Sequence, residues 1–243
     1  MTITVVIPVL NEERYLPLLL KRLAGTAFDE IIVVDGGSQD RTLEIVRSLA
    51  GNGQWAIPPH SLSPIAPRLA LLASPAGRAT QMNAGASAAR SEILLFLHAD
   101  TSPPGEACAE IAGALQDVSC VGGRFDVRFE RDVGIGWLVS RLMNLRSRLT
   151  GICTGDQAIF VRRSVFERLG GFADLPLMED VEFSRRLKAT GRVAALHAKV
   201  VTSYRRWDTY GPIRTIILMW ALRLLYWMGV SPRRLAHLYS AVR

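Results

Sequence analysis

Cysteine is scarce in this chain. Cys108, Cys120 and Cys153 are odd in number, far apart and in no metal-ligand spacing, which argues against a disulfide scaffold and suits a reducing compartment. There is no G-x-G-x-x-G fingerprint and no G-x-x-x-x-G-K-[ST] run, so dinucleotide dehydrogenases and P-loop NTPases are disfavoured. No Ser-His-Asp or Cys-His order points to nucleophilic catalysis. Internal repeats and low-complexity tracts are also missing. The apolar run in the tail, Ile216 to Leu222, falls far short of the roughly 20 residues that a spanning helix needs. Thr2 to Pro8 lacks the basic region and cleavage site of a signal peptide, so the expected location is cytoplasmic, with peripheral contact on the inner face of the cell membrane left open.

What is present fits a globular α/β chain. Its 243 residues, 49% hydrophobic and 21% charged, can bury a substantial core. The net charge of +7 is concentrated: from Ser203 onward, seven arginines stand against one acid, Asp208. Interleaved with Trp207, Trp220, Tyr226 and Trp227, these arginines read as a membrane-surface or phosphate-binding element rather than a nucleic-acid reader. Peripheral membrane contact is therefore expected through residues 213–235, and no nucleic-acid partner is.

Strand and helix signals alternate through the first hundred residues, the pattern of a parallel sheet with crossover helices. Ile3 to Val9 predicts a strand, followed by a helix that Asn11 can cap and that carries Leu16, Leu19, Leu20 and Leu23 on one stripe. Ile31 to Val34 predicts the next strand, and Ser38 can cap the helix after it. The proline-rich segment from Gly51 to Pro67 reads as a loop. A short strand near Leu69 to Ala73, a small-residue helix over Ala79 to Ala89 and a buried strand over Glu92 to Leu97 come next. Further on the pattern predicts a helix after Pro103, a strand within Val118 to Phe129, helices over Ile135 to Leu149 and Glu179 to Ala189, and a strand over Ala158 to Val161. Two short strands, Arg192 to Leu196 and Lys199 to Tyr204, precede an apolar helix over Ile213 to Met228 and a last short one opened by Ser231-Pro232. Residues 1–207 read as one domain, and 208–243 as a helical tail that is interfacial or packed on it.

Several positions can carry chemistry. Asp35 ends a strand where open α/β sheets bind ligands; it could accept hydrogen bonds from a nucleoside or cap its own turn. The run from Gly77 to Gly85 opens a helix with a glycine and a cation, so Arg78 could meet a diphosphate or base, or be a surface arginine on a tightly packed helix. Asp100 closes an apolar strand and can hold Mg²⁺ or Mn²⁺ together with substrate phosphates; His98 could be a second ligand, a phosphate donor or a strand-end histidine. Glu179 and Asp180 open a helix, where the macrodipole alone could account for them, yet a carboxylate there would serve as a base. Arg206 or Arg205 could stabilise a leaving diphosphate or be membrane-facing charge, and Trp207 could stack on a sugar or close the pocket.

With Ile7-Pro8-Val9-Leu10-Asn11-Glu12, Val34-Asp35-Gly36-Gly37-Ser38-x-Asp40, the Gly77 to Gly85 run, His98-Ala99-Asp100 and Glu179-Asp180 in this order, the chain resembles the family 2 inverting glycosyltransferases over roughly residues 1–207. Within them it is similar to a bacterial subgroup labelled as arsenosugar-biosynthesis glycosyltransferases. The resemblance implies a GT-A fold, a mainly parallel mixed sheet flanked by helices. It also implies a nucleotide-sugar donor (UDP- or GDP-sugar), Mn²⁺ or Mg²⁺, and a hydroxyl acceptor; a homodimer stays open. Carried over residue by residue, Asp180 with Glu179 is catalytic. Asp100 and His98 take the metal, and Pro8, Asn11, Glu12, Asp35, Gly77, Arg78, Asn83, Asp100, Arg206 and Trp207 bind the donor. His98 replaces the first acid of the DxD motif, and Ser203 stands where the usual Q-x-x-R-W has glutamine. The alternatives are a nucleotidyltransferase and a non-catalytic membrane-surface module. The transferase expectation requires Asp35, Asp100 and Asp180 to converge on one cleft at the rim of the sheet.

Overall fold

Every residue of β1 (Ile3–Val9) except Pro8 is buried, because both faces of this strand are covered. Its side chains alternate: Val5, Ile7 and Val9 enter one core layer and Val6 the other, and β2 (Glu30–Asp35) divides in the same way. The structure is a computed structural model and describes residues 1–51 and 68–242. The expected loop from Gly51 to Pro67 lies, apart from Gly51, outside the described residues.

Around β1 and β2 the sheet is completed by β3 (Arg68–Ala73), β4 (Ile93–Phe96), β5 (Thr101–Ser102), β6 (Cys120–Phe129), β7 (Ile159–Arg162) and β8 (Arg192–Thr202), in the order β3-β2-β1-β4-β7-β6-β8-β5. Strands β3, β2, β1 and β4 run parallel, β7 is antiparallel to both β4 and β6, and β6 pairs with β8 in parallel. Pro8 lies beyond the last β1–β4 pair, Val6 with Phe96, so its missing N–H breaks no ladder bond.

Helices α1 (Leu16–Leu23), α2 (Thr42–Gly51) and α4 (Ala107–Leu115) cover one face. Helices α3 (Arg78–Ala88), α6 (Arg163–Arg168) and α7 (Glu179–Lys188) cover the other. The small residues of α3 have a packing cause. A Cβ on Gly85 would run into Val6 of β1 and meet Val34 of β2 at 3.0 Å, so this helix lies directly on the sheet.

Four local expectations are corrected. Asn11 does not cap α1, which starts five residues later at Leu16; Asn11 sits at φ 55° and its side chain accepts from the Gln39 amide instead. Ser38 does not cap α2: its hydroxyl accepts from the Asn11 amide at 2.9 Å, and Asp40 caps Thr42. The two expected strands after Arg192 are one, β8, because the β6–β8 pairing steps from Arg124/Ala195 to Asp126/Lys199 and absorbs the irregular residues as a bulge. Helix α6 is an element the apolar pattern does not announce.

The remaining helices are α5 (Ile135–Thr150), α8 (Arg205–Tyr210), α9 (Pro212–Trp227) and α10 (Pro232–Val242). The last two pack on the sheet domain: Leu222 of α9 and Leu235 of α10 meet Met178, just ahead of α7. Both α5 and α9 keep an outward apolar stripe, Leu138, Leu142, Leu145 and Leu149 on one and Ile213, Ile217, Trp220, Leu224 and Trp227 on the other. Among the described residues no helix is long and apolar enough to cross a membrane.

Candidate active site

The C-terminal ends of β1 and β4 open into a cavity of about 410 Å³. Leu10, Asn11 and Glu12 enter it from the end of β1, Asp100 from beyond β4, and Asp156 from the short 3-10 turn Gly155–Gln157. Arg205 and Trp207 of α8 line it too, and α5 and α9 form the far wall.

Position follows from backbone ties. The Ser203 amide donates to the carbonyl of Asp100 at 3.1 Å, which brings the start of α8 onto the Asp100 turn. Arg205 consequently reaches both acids, with its Nη2 3.3 Å from Glu12 Oε1 and 3.4 Å from Asp100 Oδ2, and its guanidinium lies over the Tyr15 ring at 4.8 Å. Burial raises the pKa of Glu12, with Arg205 pulling in the opposite direction. Glu12 Oε2 is buried with no hydrogen-bond partner.

Asp180 is half-buried at the start of α7. Its Oδ2 accepts from the Gly155 amide at 2.9 Å, and its Oδ1 from the Val181 amide at 2.7 Å. The turn that holds it also carries Asp156, whose Oδ1 lies 3.2 Å from His98 Nδ1. His98 Nε2 is buried with no partner, and the Cα of Gly155 packs so closely on this ring that a Cβ there would clash with it. Next to Asp180, Glu179 is buried and pairs with Arg78 Nη1 at 3.3 Å. Its pKa is raised, first by burial and then by the Asp180 charge.

Of the expected donor residues, Asn11, Glu12, Asp100 and Trp207 line the cavity; Asp180 does not, and its carboxylate accepts from the amide of Gly155, the residue before the lining Asp156. Asp35 stands at the end of β2, beneath the loop that Asn11 contacts, and does not line the cavity; its carboxylate accepts from the Gly37 amide at 2.9 Å and from the Ser38 amide. The turn-capping geometry is thus the one present. Gly77 caps α3 at φ 145°, a conformation only glycine takes easily. Asn83 is redirected: its Nδ2 donates to the Phe172 carbonyl at 2.8 Å and its Oδ1 accepts from the Phe172 amide at 2.9 Å, so the whole amide is consumed in fixing a loop. Arg206 lies in α8, and its side chain falls outside the described set. Trp207 packs edge-on to Phe129 at 5.5 Å.

The structure adds residues that sequence reasoning passed over. Gln81 of α3 donates to the carbonyls of Val9 and Val34, both at 2.8 Å, and so clamps β1 and β2 where the loops diverge. Arg146 of α5 and Arg223 of α9 line the cavity. Burial presses the pKa of Arg146 down to about 10, with the charge of Arg223 acting in the same direction, and its Nε and Nη2 are buried without partners. Arg223 is also lowered by burial, against the pull of Asp180 and Asp156. The only available signal was that Arg214 and Arg223, nine residues apart, fall on opposite faces of their helix. Arg214 is indeed exposed while Arg223 faces the cavity.

The sequence profile described as Glycosyl transferase family 2 matches residues 4–170. An undecaprenyl-phosphate 4-deoxy-4-formamido-L-arabinose transferase of Pseudomonas paraeruginosa (strain DSM 24068 / PA7) is 33% identical over 178 residues, 69% of this chain and 49% of that protein. One of the same description from Pectobacterium carotovorum subsp. carotovorum (strain PC1) is 28% identical over 253 residues, 99% of this chain and 71% of that protein. The chain thus spans about half the length of the first of these relatives. Among solved structures, S. aureus TarS 1-349 in complex with UDP-GlcNAc superposes with a TM-score of 0.63 at 20% identity, covering 84% of this chain and 58% of that one. The mannosyltransferase PcManGT from Pyrobaculum calidifontis, in complex with GDP-Man and Mn²⁺, gives 0.65 at 20% identity, covering 99% and 69%. At this identity the two likenesses establish the fold.

Proposed function

The chain belongs to glycosyl transferase family 2 and is a glycosyltransferase, and from that premise we propose that it moves a sugar from a nucleotide-diphosphate-sugar to an acceptor hydroxyl, with inversion and with Asp180 as general base. The nucleotidyltransferase and non-catalytic alternatives fall away with that membership. One observation carries the mechanism: Glu12, Asp100, Asp156 and Arg205 gather on a single cavity, and Asp180 is fixed to the same turn as Asp156.

Donor binding falls to the β1 and β2 ends. The loop that Asp35 holds and the Asn11 turn form the nucleoside side, and Arg205 can pass from Glu12 and Asp100 to the diphosphate, since its side chain is 45% exposed. Trp207, steadied by Phe129, closes the sugar side. Asp180 takes the acceptor proton as that oxygen attacks the anomeric carbon, and the bond to the diphosphate breaks on the opposite side. Two backbone amides orient this carboxylate, and Glu179, paired to Arg78, fixes the helix end behind it.

The residues present fit a divalent cation that the donor partly holds. Asp100 offers a carboxylate and the neighbouring Glu12 Oε2 has no partner. Among the described residues no cluster of three metal-ligating side chains exists. Hard cations need only one or two carboxylates when phosphates supply the rest. When bound, such an ion neutralises charge on the leaving diphosphate. Asp100 is the proposed ligand. His98 is not, because its Nδ1 faces Asp156 and its Nε2 is shut in against Gly155.

Residues 1–207 are proposed as the catalytic unit. The tail is proposed to touch a membrane surface through 213–235, where α9 carries an exposed apolar stripe and Arg214, Arg233 and Arg234 are exposed. The deciding experiment is Asp180→Asn: nucleotide binding persists and transfer falls by roughly 10²–10⁴-fold. Retained turnover would overturn the assignment of the base.

A further inference from the structure

Beyond β4 the sheet holds the chain as far as His98. The Leu97 amide donates to the Val6 carbonyl of β1 at 3.0 Å, and the Thr101 amide closes a turn onto the His98 carbonyl at 3.0 Å. His98 and Asp100 thus share one turn at the end of a central strand, yet their side chains serve different halves of the site. Asp100 faces Arg205. The His98 ring, only 15% exposed, meets the Gly155–Gln157 turn instead.

Two contacts define that meeting. Nδ1 lies 3.2 Å from Asp156 Oδ1, and a carboxylate acceptor there selects the tautomer with its proton on Nδ1. Nε2 is buried without a hydrogen-bond partner against Gly155, where a Cβ would run into Nε2 and come within 2.6 Å of Cε1. Gly155 does not take a positive φ, so the ring, and not the backbone, is what requires a glycine here. An aspartate at position 98 would be too short to fill this space and would set a second carboxylate beside Asp156, where like charges repel.

What the ring presses on is the residue that holds the proposed base, because the Gly155 amide donates to Asp180 Oδ2 at 2.9 Å. Helix α7 itself is seated independently: Phe183 and Leu187 pack in the same core layer as Phe96, and the Ser184 hydroxyl accepts from the Cys153 amide at 3.0 Å. His98 therefore adds the placement of one amide relative to the strand end that carries Asp100.

We propose that His98 is a positioning residue for the general base, bracing Gly155 so that its amide keeps the Asp180 carboxylate fixed relative to Asp100. This rests on the reading of Asp180 as the base. The histidine that replaces the first acid of the DxD motif has then moved from service on the donor side to service on the base side.

The test combines backbone amide NMR of the full chain without substrate and calorimetric titration with UDP and GDP plus Mn²⁺. The Gly155 amide resonance should move in Asp180→Asn, which makes it the reporter of that hydrogen bond. His98→Ala should move the same resonance and raise its hydrogen-exchange rate by roughly tenfold or more, as a locally loosened amide does. His98→Asn, whose amide can still donate to Asp156, should show a smaller change, and His98→Asp, which faces Asp156 with a like charge, a larger one. The Phe183 and Leu187 amides should stay in place; if His98→Ala moves them too, the His98→Asn result decides by the same criterion. Nucleotide affinity with Mn²⁺ should stay within roughly twofold in all three variants, because the ring acts on the other half of the site. A Gly155 amide that neither moves nor exchanges faster overturns the proposal. So does a tenfold loss of Mn²⁺-dependent nucleotide affinity, roughly what removing one charge-assisted contact produces, which would make His98 a metal or phosphate ligand. Failure of both nucleotides to bind the unsubstituted protein defeats the transferase reading; an unmoved Gly155 amide defeats this inference alone.

Discussion

Replacing Arg146 by methionine should make the protein more stable. The guanidinium enters a largely apolar wall, its Nε and Nη2 are buried without partners, and burial presses its pKa down to about 10. The sign follows directly. A base whose folded pKa lies below its unfolded value holds its proton less well when folded, so below pH 10 the folded state carries the full penalty, which fades as pH rises from 10 towards the unfolded value. At neutral pH that penalty is about 3 kcal/mol. Methionine keeps much of the aliphatic stem and removes the charge, so some packing survives. Allowing for lost contacts, a net gain of about 2 kcal/mol is expected, or roughly 4–8 °C in melting temperature for a chain of this size. Thermal and urea denaturation at pH 7 measure it, and the gain should shrink above pH 10. A loss of stability of similar size would refute the reasoning, because it would mean that the guanidinium is satisfied by the fold.

Three other outcomes are expected. Gly85→Ala should cost about 1–3 kcal/mol in denaturant unfolding, since its Cβ would be driven into Val6 and overpacking of this order is typical; an unchanged midpoint would deny the close seating of α3. Glu179→Gln should change the pH dependence of melting: an acid whose folded pKa is raised makes the wild type lose stability as pH climbs from 4.5 through the raised value. The melting-temperature advantage of the variant should therefore widen between pH 4.5 and 7, and a constant difference would contradict the shift. Arg205→Gln frees the Glu12 and Asp100 carboxylates, so Mn²⁺ should bind the nucleotide-free variant several-fold more tightly, roughly threefold to tenfold by calorimetry, as expected for removal of a half-exposed cation; weaker binding would show that Arg205 does not compete there.

The sheet was legible because β1, β2 and β4 are short apolar runs bounded by turn residues, and α1 because Leu16, Leu19, Leu20 and Leu23 keep helical spacing. Helix α6 was not, since Arg163 to Arg168 offers only Val165 and Phe166 to the core. The break read into β8 reflects a bulge, a feature of pairing with β6 that no single strand encodes. In the site, Asp100 could be picked out because it closes an apolar stretch, whereas Glu12 was reached only through the family resemblance. Arg205 could be counted only as one of several tail arginines, because its place depends on the Ser203–Asp100 backbone bond, which joins segments distant in sequence. Arg146 and Arg223 come from helices far apart in sequence, and they line one cavity only because α5 and α9 both border it.

The short turn Gly155–Gln157 has a consequence for how such a protein can diversify. It grips Asp180 through one amide, presents Asp156 to the cavity and backs directly onto His98, so it works as a fixed spacer between the two halves of the pocket. The walls contributed by α5 and α9 lie outside that spacer. With Asp180 as the proposed base, substitutions there would retune what the pocket accepts while the turn keeps that carboxylate in place.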